Sequence, residues 1–509
     1  MSHKTPNVYI NEGSAGAKPI DGASVGIAAF VGCAEKGPVG EAILVSNFTE
    51  YTEKFGSYIS NGWLANAVET FFIEAGAGAK CYAVRTVHFT DVADADTATN
   101  KVASVKLNDG AAENPVDVLQ VDGVVEGESD LKITIAAATS ANASKFKVEL
   151  YKGSGANAIA SLDEQTVDTL DGITIGTAPN AVTFVKLAAG VPATVVKAAL
   201  TGGSDGLANI SDNDYIGSPV SYTGLYALDY VDENLNIAIP GVTSRAVLNA
   251  VAAYAQARKS FHIGDVPAGL DYLEAKEFKL ATGDYAGEAA IDNAFSALYY
   301  PWYYIKDPVT AAKKLMPPSA AMAGVYARVA GTRGVHKAPA GIEDGKLKTA
   351  IGVERIINDT QQSELNPNGI NVIRSFTEGI VAWGARTTSS DALWRYINNR
   401  LHFNFIGSSL KKGTKWSVFE PNDNILWGKL KLLADSFLNK EYKKGAFNDG
   451  GTGKSELAYY VVCDTTNNTL ATIDSGEVHL DVGVAESKPG EFVEIGINQW
   501  DGGSSVTES

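Results

Sequence analysis

Cysteine is nearly missing from this 509-residue sequence: Cys33, Cys81 and Cys463 are the only three. They lie far apart and form no CxxC pair, which argues against a disulfide framework or a thiolate zinc site and fits assembly in a reducing compartment. Long apolar runs are missing too. None approaches the roughly 20 residues that span a bilayer, and the opening MSHKTPNVYINEGSAG lacks the apolar stretch of a secretion signal, so no membrane insertion is expected. Basic side chains are in deficit, 42 Lys and Arg against 59 Asp and Glu for a formal charge of −17. That balance argues against nucleic acid as a direct partner.

Catalytic patterns are scarce as well. The histidines (His3, His88, His262, His336, His402 and His479) form no HExxH and have no acidic partner at ligand spacing. No GxSxG elbow occurs. GAGAKC, residues 76–81, lacks the third glycine of a dinucleotide fingerprint and runs into a strand pattern. His262 and His402 sit in apolar runs, where core histidines are expected. No carboxylate pair stands out, although pairs formed across a fold escape such inspection. The expectation is a protein without enzymatic activity, metal or cofactor.

One stretch does look like chemistry: FNDGGTGKSELAYYVVCD, Phe447 to Asp464. Its GTGKS, residues 451–455, ends like a Walker A loop, whose glycines let backbone N–H groups wrap phosphates while the lysine reaches the outer ones. The first glycine of that pattern is replaced by Asn448. The context is also inverted. A phosphate loop follows a strand and opens a helix, whereas here the helix tail FLNKEYKKGAF precedes and the strand pattern ELAYYVVCD follows. A plain turn is favoured, with a P-loop-like nucleotide-binding enzyme as the alternative.

A chain of this length implies two to four domains. Residues 1–20 form a polar N-terminal arm with one extended segment at Val8, Tyr9 and Ile10. SVGIAAFVGCAEKGP reads as a buried strand ending in a turn. A helix follows, capped by Asn61 and carrying Trp63, Leu64, Ala67, Val68, Phe71 and Phe72 at helical spacing, and AKCYAVRTV returns as a strand. Between Asp91 and Ser204 the texture changes. This stretch has no Trp, Cys or His, and short alternating runs (KVASVKL, LKITIAA, KFKVELY, AVTFVKL) separated by Gly, Asn, Asp and Ser mark an inserted β-rich surface domain. The α/β pattern resumes with NIAIPGV, AVLNAVAAYAQARK and SFHIGDVP. From Asp391 a long helix runs to Gly413, then a strand KWSVFEP. A second helix from about Asn424 to Lys444 carries Leu426, Leu430, Leu433 and Phe437 on one stripe. The fold class expected is multidomain α/β and α+β. A β-α-β core (21–90 plus 205–390) carries the insertion (91–204), an α+β C-terminal domain (391–490), and extended terminal β-arms, the second at 491–509.

NVYINEGSAGAKPIDGASVGIAAFVGCAEKGP resembles the opening of contractile tail sheath proteins. The likeness continues through LTGGSDG, YYPWYYIKDP, PPSAAMAGVYAR, GTRGVHKAPAG, LNPNGINVIRSF and WGARTTSSD to WRYINNRLHFNFIGSSLKKGTKWSVFEPND, VVCD and EFVEIGINQ. It covers residues 6–90 and 205–499 in order and departs only in the insertion. The resemblance implies a structural polymer of stacked six-fold rings around a tail tube. The stored energy of subunit contacts then drives contraction and pushes the tube through a target envelope without nucleotide. It also implies baseplate, tail terminator and tube proteins as partners beside copies of the chain itself. The location it implies is a virion tail or equivalent contractile particle assembled in a bacterial host's cytoplasm.

Two features support that mechanism from the residues. Val8, Tyr9 and Ile10 at one end, and Phe492, Val493, Ile495 and Ile497 at the other, read as lone strands whose ladder groups need another sheet. The resemblance implies that both arms add to the C-terminal domains of neighbours; pairing within the chain is the alternative. Residues 391–445 hold ten Lys and Arg against five acids, and Lys429, Lys440 and Lys443 fall within roughly 60° on one helix flank. The resemblance implies a tube-facing role for this flank; a solvated flank is the alternative. Another self-assembling shell protein also suits terminal arms but not the ordered run of sheath-like segments.

Overall fold

The computed structural model describes residue 20 and residues 22–495. The chain enters through β1 (Ala28–Gly32), β2 (Ala42–Val45), α1 (Phe48–Phe55), α2 (Leu64–Ala75) and β3 (Cys81–Arg85). The helix α1 has no counterpart in the sequence-based reading. It is set locally: the Asn47 side chain accepts from Glu50 N–H at 2.8 Å, Gly56 at φ 83° ends it, and Tyr51 and Phe55 bury its inner face. The helix α2 begins after Trp63, not at the expected cap Asn61, which lies in a turn. Trp63 makes no side-chain cap because its indole is packed inward, edge-on to Trp302 at 5.8 Å.

Next come β4 (Val102–Asn108), β5 (Asp117–Glu126), β6 (Leu131–Ala137), β7 (Phe146–Lys152), β8 (Ala160–Gln165), the single turn α3 (Val167–Leu170), β9 (Thr174–Thr177), β10 (Asn180–Lys186) and β11 (Val195–Ala199). They make two antiparallel sheets ordered β4-β5-β10-β9 and β11-β6-β7-β8. Their inner faces enclose a core of their own that includes Val121, Ile133, Val148, Leu150 and Phe184. The four alternating runs of the sequence are β4, β6, β7 and β10. The others are richer in Gly, Ala, Asp and Thr and carry weaker alternation.

The chain then forms α4 (Asp212–Ile216), β12 (Asn236–Ala238), α5 (Arg245–Arg258), β13 (Phe261–Asp265), α6 (Tyr272–Leu280), β14 (Ser296–Tyr300), β15 (Tyr303–Lys306), β16 (Lys313–Met316), α7 (Pro318–Thr332), β17 (Gly352–Val353), α8 (Asp359–Leu365), β18 (Ile370–Phe376) and β19 (Gly379–Ala382). An eight-stranded sheet results, ordered β19-β18-β14-β13-β12-β1-β3-β2. Its inner strands are all parallel and only the edges β2 and β19 run antiparallel. Every residue of β1, β13 and β14 is buried, as expected for strands covered on both faces. One face packs on α2 and α7 through Phe30, Phe71, Tyr299 and Tyr326; the other meets α5 through Val31, Ile237 and Val251.

Open parallel sheets take ligands beyond the carboxyl ends of the strands where the order reverses. Here that point lies between β1 and β12, and Trp63 fills it against Gly241, which has φ 79° and no room for a Cβ beside the indole.

The last elements are α9 (Ile397–Thr414), α10 (Asn424–Lys443), β20 (Tyr459–Val462), α11 (Leu470–Asp474) and β21 (Asp481–Val484). The expected strand KWSVFEP is not one: Lys415–Ser417 is a single 3-10 turn. Phe419 then takes a left-handed φ of 71°, which an extended strand does not allow. Cys33, Cys81 and Cys463 are free and buried. No helix among the described residues is long and apolar enough to cross a membrane.

Candidate assembly surface around the C-terminal sheet

The C-terminal elements gather around a small core. Leu433, Phe437 and Leu438 of α10 pack with Ile406 of α9, Phe447 and Tyr459. The expected stripe is real: Leu426, Leu430, Leu433 and Phe437 are all buried. Asp423 caps the helix by accepting from Ile425 and Leu426 N–H, both at 2.9 Å. Lys429, Lys440 and Lys443 are exposed on the flank beside the stripe. Ile425 and Leu432 share that outward face and are 67 % and 70 % exposed, a feature the charge count did not bring out.

The two-stranded sheet pairs β20 with β21 from Tyr459↔Val484 to Val462↔Asp481. Each strand pairs only with the other as a named strand, so each keeps an outer edge without a strand partner among the described residues. Past β21 the chain reaches the second arm. Phe492, Val493 and Ile495 belong to no strand and are 78 %, 83 % and 79 % exposed. Ile497 and the N-terminal Val8, Tyr9 and Ile10 lie outside the described residues.

The arm's first residues are fixed in ways the sequence did not disclose. His402 of α9 is buried, with Nδ1 2.8 Å from a Glu486 carboxylate oxygen and Nε2 3.7 Å from Glu441. Burial alone lowers its pKa, but the nearby Glu441 carboxylate and the hydrogen-bonded Glu486 outweigh that and raise it above the ordinary histidine value. This is a carboxylate pair formed across the fold, 39 and 84 residues from the histidine in sequence. Five residues beyond Glu486, Glu491 meets Arg386, whose Nε lies 2.9 Å from Oε1 while Nη2 holds Oε2.

The GTGKS turn sits between α10 and β20, followed by one 3-10 turn, Ser455–Leu457. Amides at its start are already engaged: Gly450 N–H, just before it, donates to Asn448 Oδ1 and Gly451 N–H to Asp449 Oδ1, each at 2.9 Å. A carboxylate where a phosphate would sit repels that phosphate, and the three-residue turn that follows is too short to offer a helix N-terminus.

Residues 208–388 match the family model described as the phage tail sheath protein central domain. A tail sheath protein of Vibrio phage KVP40 is 26% identical over 219 residues, 41% of this chain and 31% of that protein. The tail sheath protein of Enterobacteria phage T4 is 26% identical over 203 residues, 39% of this chain and 29% of that protein. The chain thus spans about a third of the length of these relatives. In structure it is similar to the helical sheath of the anti-feeding prophage in its contracted state, with TM-score 0.59 and 23% identity over 98% of this chain and 100% of that one. Residues 208–388 are thus similar to the central domain of phage tail sheath proteins, and the chain shares its fold over nearly its whole length with a contractile sheath subunit.

Proposed function

We propose that this chain is the structural subunit of a contractile sheath that polymerises as stacked rings around a tail tube and contracts to drive the tube through a target envelope. The observation that carries this reading is the C-terminal sheet, whose two outer edges have no strand partner among the described residues, together with an arm whose Phe492, Val493 and Ile495 are exposed among those residues. Open edges and lone apolar strands complement each other, and ladder bonds between chains give a tether that survives rotation of one subunit against the next. In this reading both terminal arms join β20–β21 sheets of neighbours, and residues 391–490 are the polymerising domain. The β-rich residues 91–204 form an outer module carried by the α/β core of residues 21–90 and 205–390.

The exposed face of α10, with Lys429, Lys440 and Lys443 around Ile425 and Leu432, suits an acidic tube surface with apolar contact at its centre. Baseplate and terminator proteins close the two ends of the polymer, and the particle is a virion tail or an equivalent injection device assembled in a bacterial cytoplasm. Energy comes from subunit contacts and needs no cofactor.

Negative-stain microscopy of the purified chain tests the proposal. Long hollow cylinders are the expected outcome; a monodisperse monomer at high concentration overturns it.

A further inference from the structure

The six residues from Glu486 to Glu491 join β21 to the exposed arm, and they are held at their two ends by different parts of the fold. At the first end Glu486, its side chain 6 % exposed, meets His402 of α9. Beside it Ser487 N–H donates to Ala446 O at 3.0 Å, and its hydroxyl donates to Gly445 O at 3.1 Å. At the far end Glu491 forms a two-point pair with Arg386, the side chains 14 % and 10 % exposed, and accepts from the Tyr396 hydroxyl at 3.3 Å.

Arg386 is itself built in. Its N–H donates to Asn371 Oδ1 and its carbonyl accepts from Asn371 Nδ2, each at 2.7 Å, which fastens it to β18 of the large sheet. Between the two ends lie exposed Lys488 and Gly490, along a groove also lined by His336, Lys337 and Trp383. Beyond the Ser487 hydrogen bonds, charge rather than apolar burial holds the stretch. Exposed ion pairs contribute little, but a shielded bidentate arginine–carboxylate pair is strong and directional.

We propose that Glu486–Glu491 is a doubly clamped root for the C-terminal arm, with a proximal clamp at His402 that responds to pH and a distal clamp at Arg386 that does not respond near neutrality. The root presents the arm beyond Glu491 in one direction, which lowers the ordering cost of any strand it adds to. The effect on assembly rests on the exchanged-arm reading above; the clamp itself does not.

His402 is faced by Glu441 and Lys444 from the end of α10, by Glu486 from the root, and by His336 from the segment after α7. Arg400 lies on its own helix, and Arg333 lies at the end of α7. The two clamps titrate differently. His402, with its pKa raised by the two carboxylates, contributes below the ordinary histidine value, and that contribution is lost as pH rises through its raised pKa. Burial pushes the Glu491 pKa up, but Arg386 outweighs it and holds it below the ordinary value. That clamp is present above the ordinary glutamate value and is lost only as pH falls through the lowered one.

The test uses the full-length chain carrying Lys488→Cys, kept dilute and unassembled. The native cysteines are buried, so a nitroxide label attaches selectively at position 488. At neutral pH the label should be immobilised, and Glu491→Gln and Glu486→Gln should each move more than half of its spectrum into the mobile component. Raising the pH stepwise from neutrality, through the His402 titration, should mobilise the label in the parent and add nothing in Glu486→Gln. Glu491→Gln removes one charge on the arm and keeps the core intact, so misfolding does not obscure it. A label mobile at neutral pH in the parent, or unchanged in both variants, overturns the clamp. Tube formation on the same variants reports separately on arm exchange: a freed root with unimpaired tubes leaves the clamp standing and counts against the exchanged arm.

Discussion

Asp265 at the end of β13 accepts two hydrogen bonds from Ser319 at the head of α7, one from the backbone N–H at 2.7 Å and one from the hydroxyl at 2.6 Å. A third comes from Gly241 N–H at 3.2 Å. The carboxylate thereby fastens the helix covering one face of the sheet to the strand beneath it.

Burial pushes the Asp265 pKa up to about 6 despite these donors. The sign follows from proton uptake: between the unfolded and folded values the native state holds the extra proton, so stability from this group falls as pH rises. With a slope that approaches ~1.4 kcal/mol per pH unit only between the two values, the stability of the parent relative to Asp265→Asn should drop by about 2 kcal/mol from pH ~4 to ~6. Urea unfolding of the unassembled subunit measures it. A flat difference would mean that Asp265 ionises normally.

Arg85 of β3 is fully buried, and its guanidinium lies 2.5 Å from Glu126 of β5, joining the α/β sheet to the β-rich sheets. Lys101 N–H donates to Ser204 O at 2.8 Å, so the two ends of the β-rich segment are adjacent. Excision of residues 102–203 with a short Gly-Ser linker should leave a folded subunit that still forms tubes. The deletion removes the Glu126 carboxylate and leaves the Arg85 guanidinium with only the Gly37 and Asp205 carbonyls it also donates to. Loss of the charge partner destabilises the subunit, and Arg85→Met in the excised chain should recover part of the loss in melting experiments.

Truncation after Glu491 removes only side chains that are exposed where they are described. Subunit melting temperature should stay within a degree or two while tube formation is lost. Removing residues 1–12 should do the same, and Val8→Pro should weaken tubes without unfolding the monomer by deleting one ladder donor. A drop in subunit melting temperature would instead indicate pairing within the chain.

Reversing charge at Lys429, Lys440 and Lys443 to Glu should lower subunit stability by no more than about 2 kcal/mol, at about 0.5 kcal/mol for each exposed site plus the cost of acid in the last turn of α10, where Lys440 and Lys443 lie. Sheath tubes should still form. Co-sedimentation with the inner tube should fall at least tenfold at low salt, and the parent's binding should weaken as salt rises.

Millimolar ATP with magnesium should leave the melting temperature unchanged in the parent and in Lys454→Ala, because binding to the native state alone would raise it by mass action. A rise that Lys454→Ala abolishes would revive the nucleotide loop.

Local pattern alone settled a good deal about this protein. The all-apolar run of β1, the 4-3-4 stripe of α10 and the helix-turn-strand order around GTGKS are short-range properties. Backbone periodicity and turn chemistry act over a few residues and leave their mark in sequence. The same reach explains the misses. Asn61 is a suitable cap by type, yet the packing of Trp63 set where α2 begins, and an apolar KWSVFEP reads as strand until Phe419 turns left-handed. Only the tertiary structure decided that Trp63, edge-on to Trp302, would fill the switch point against Gly241, that β12 would lie beside β1, and that Glu486 and Glu491 would meet His402 and Arg386. Those ion pairs join residues 84 and 105 positions apart. Their existence depends on distances fixed when separate layers pack, and no periodicity in the chain encodes such distances.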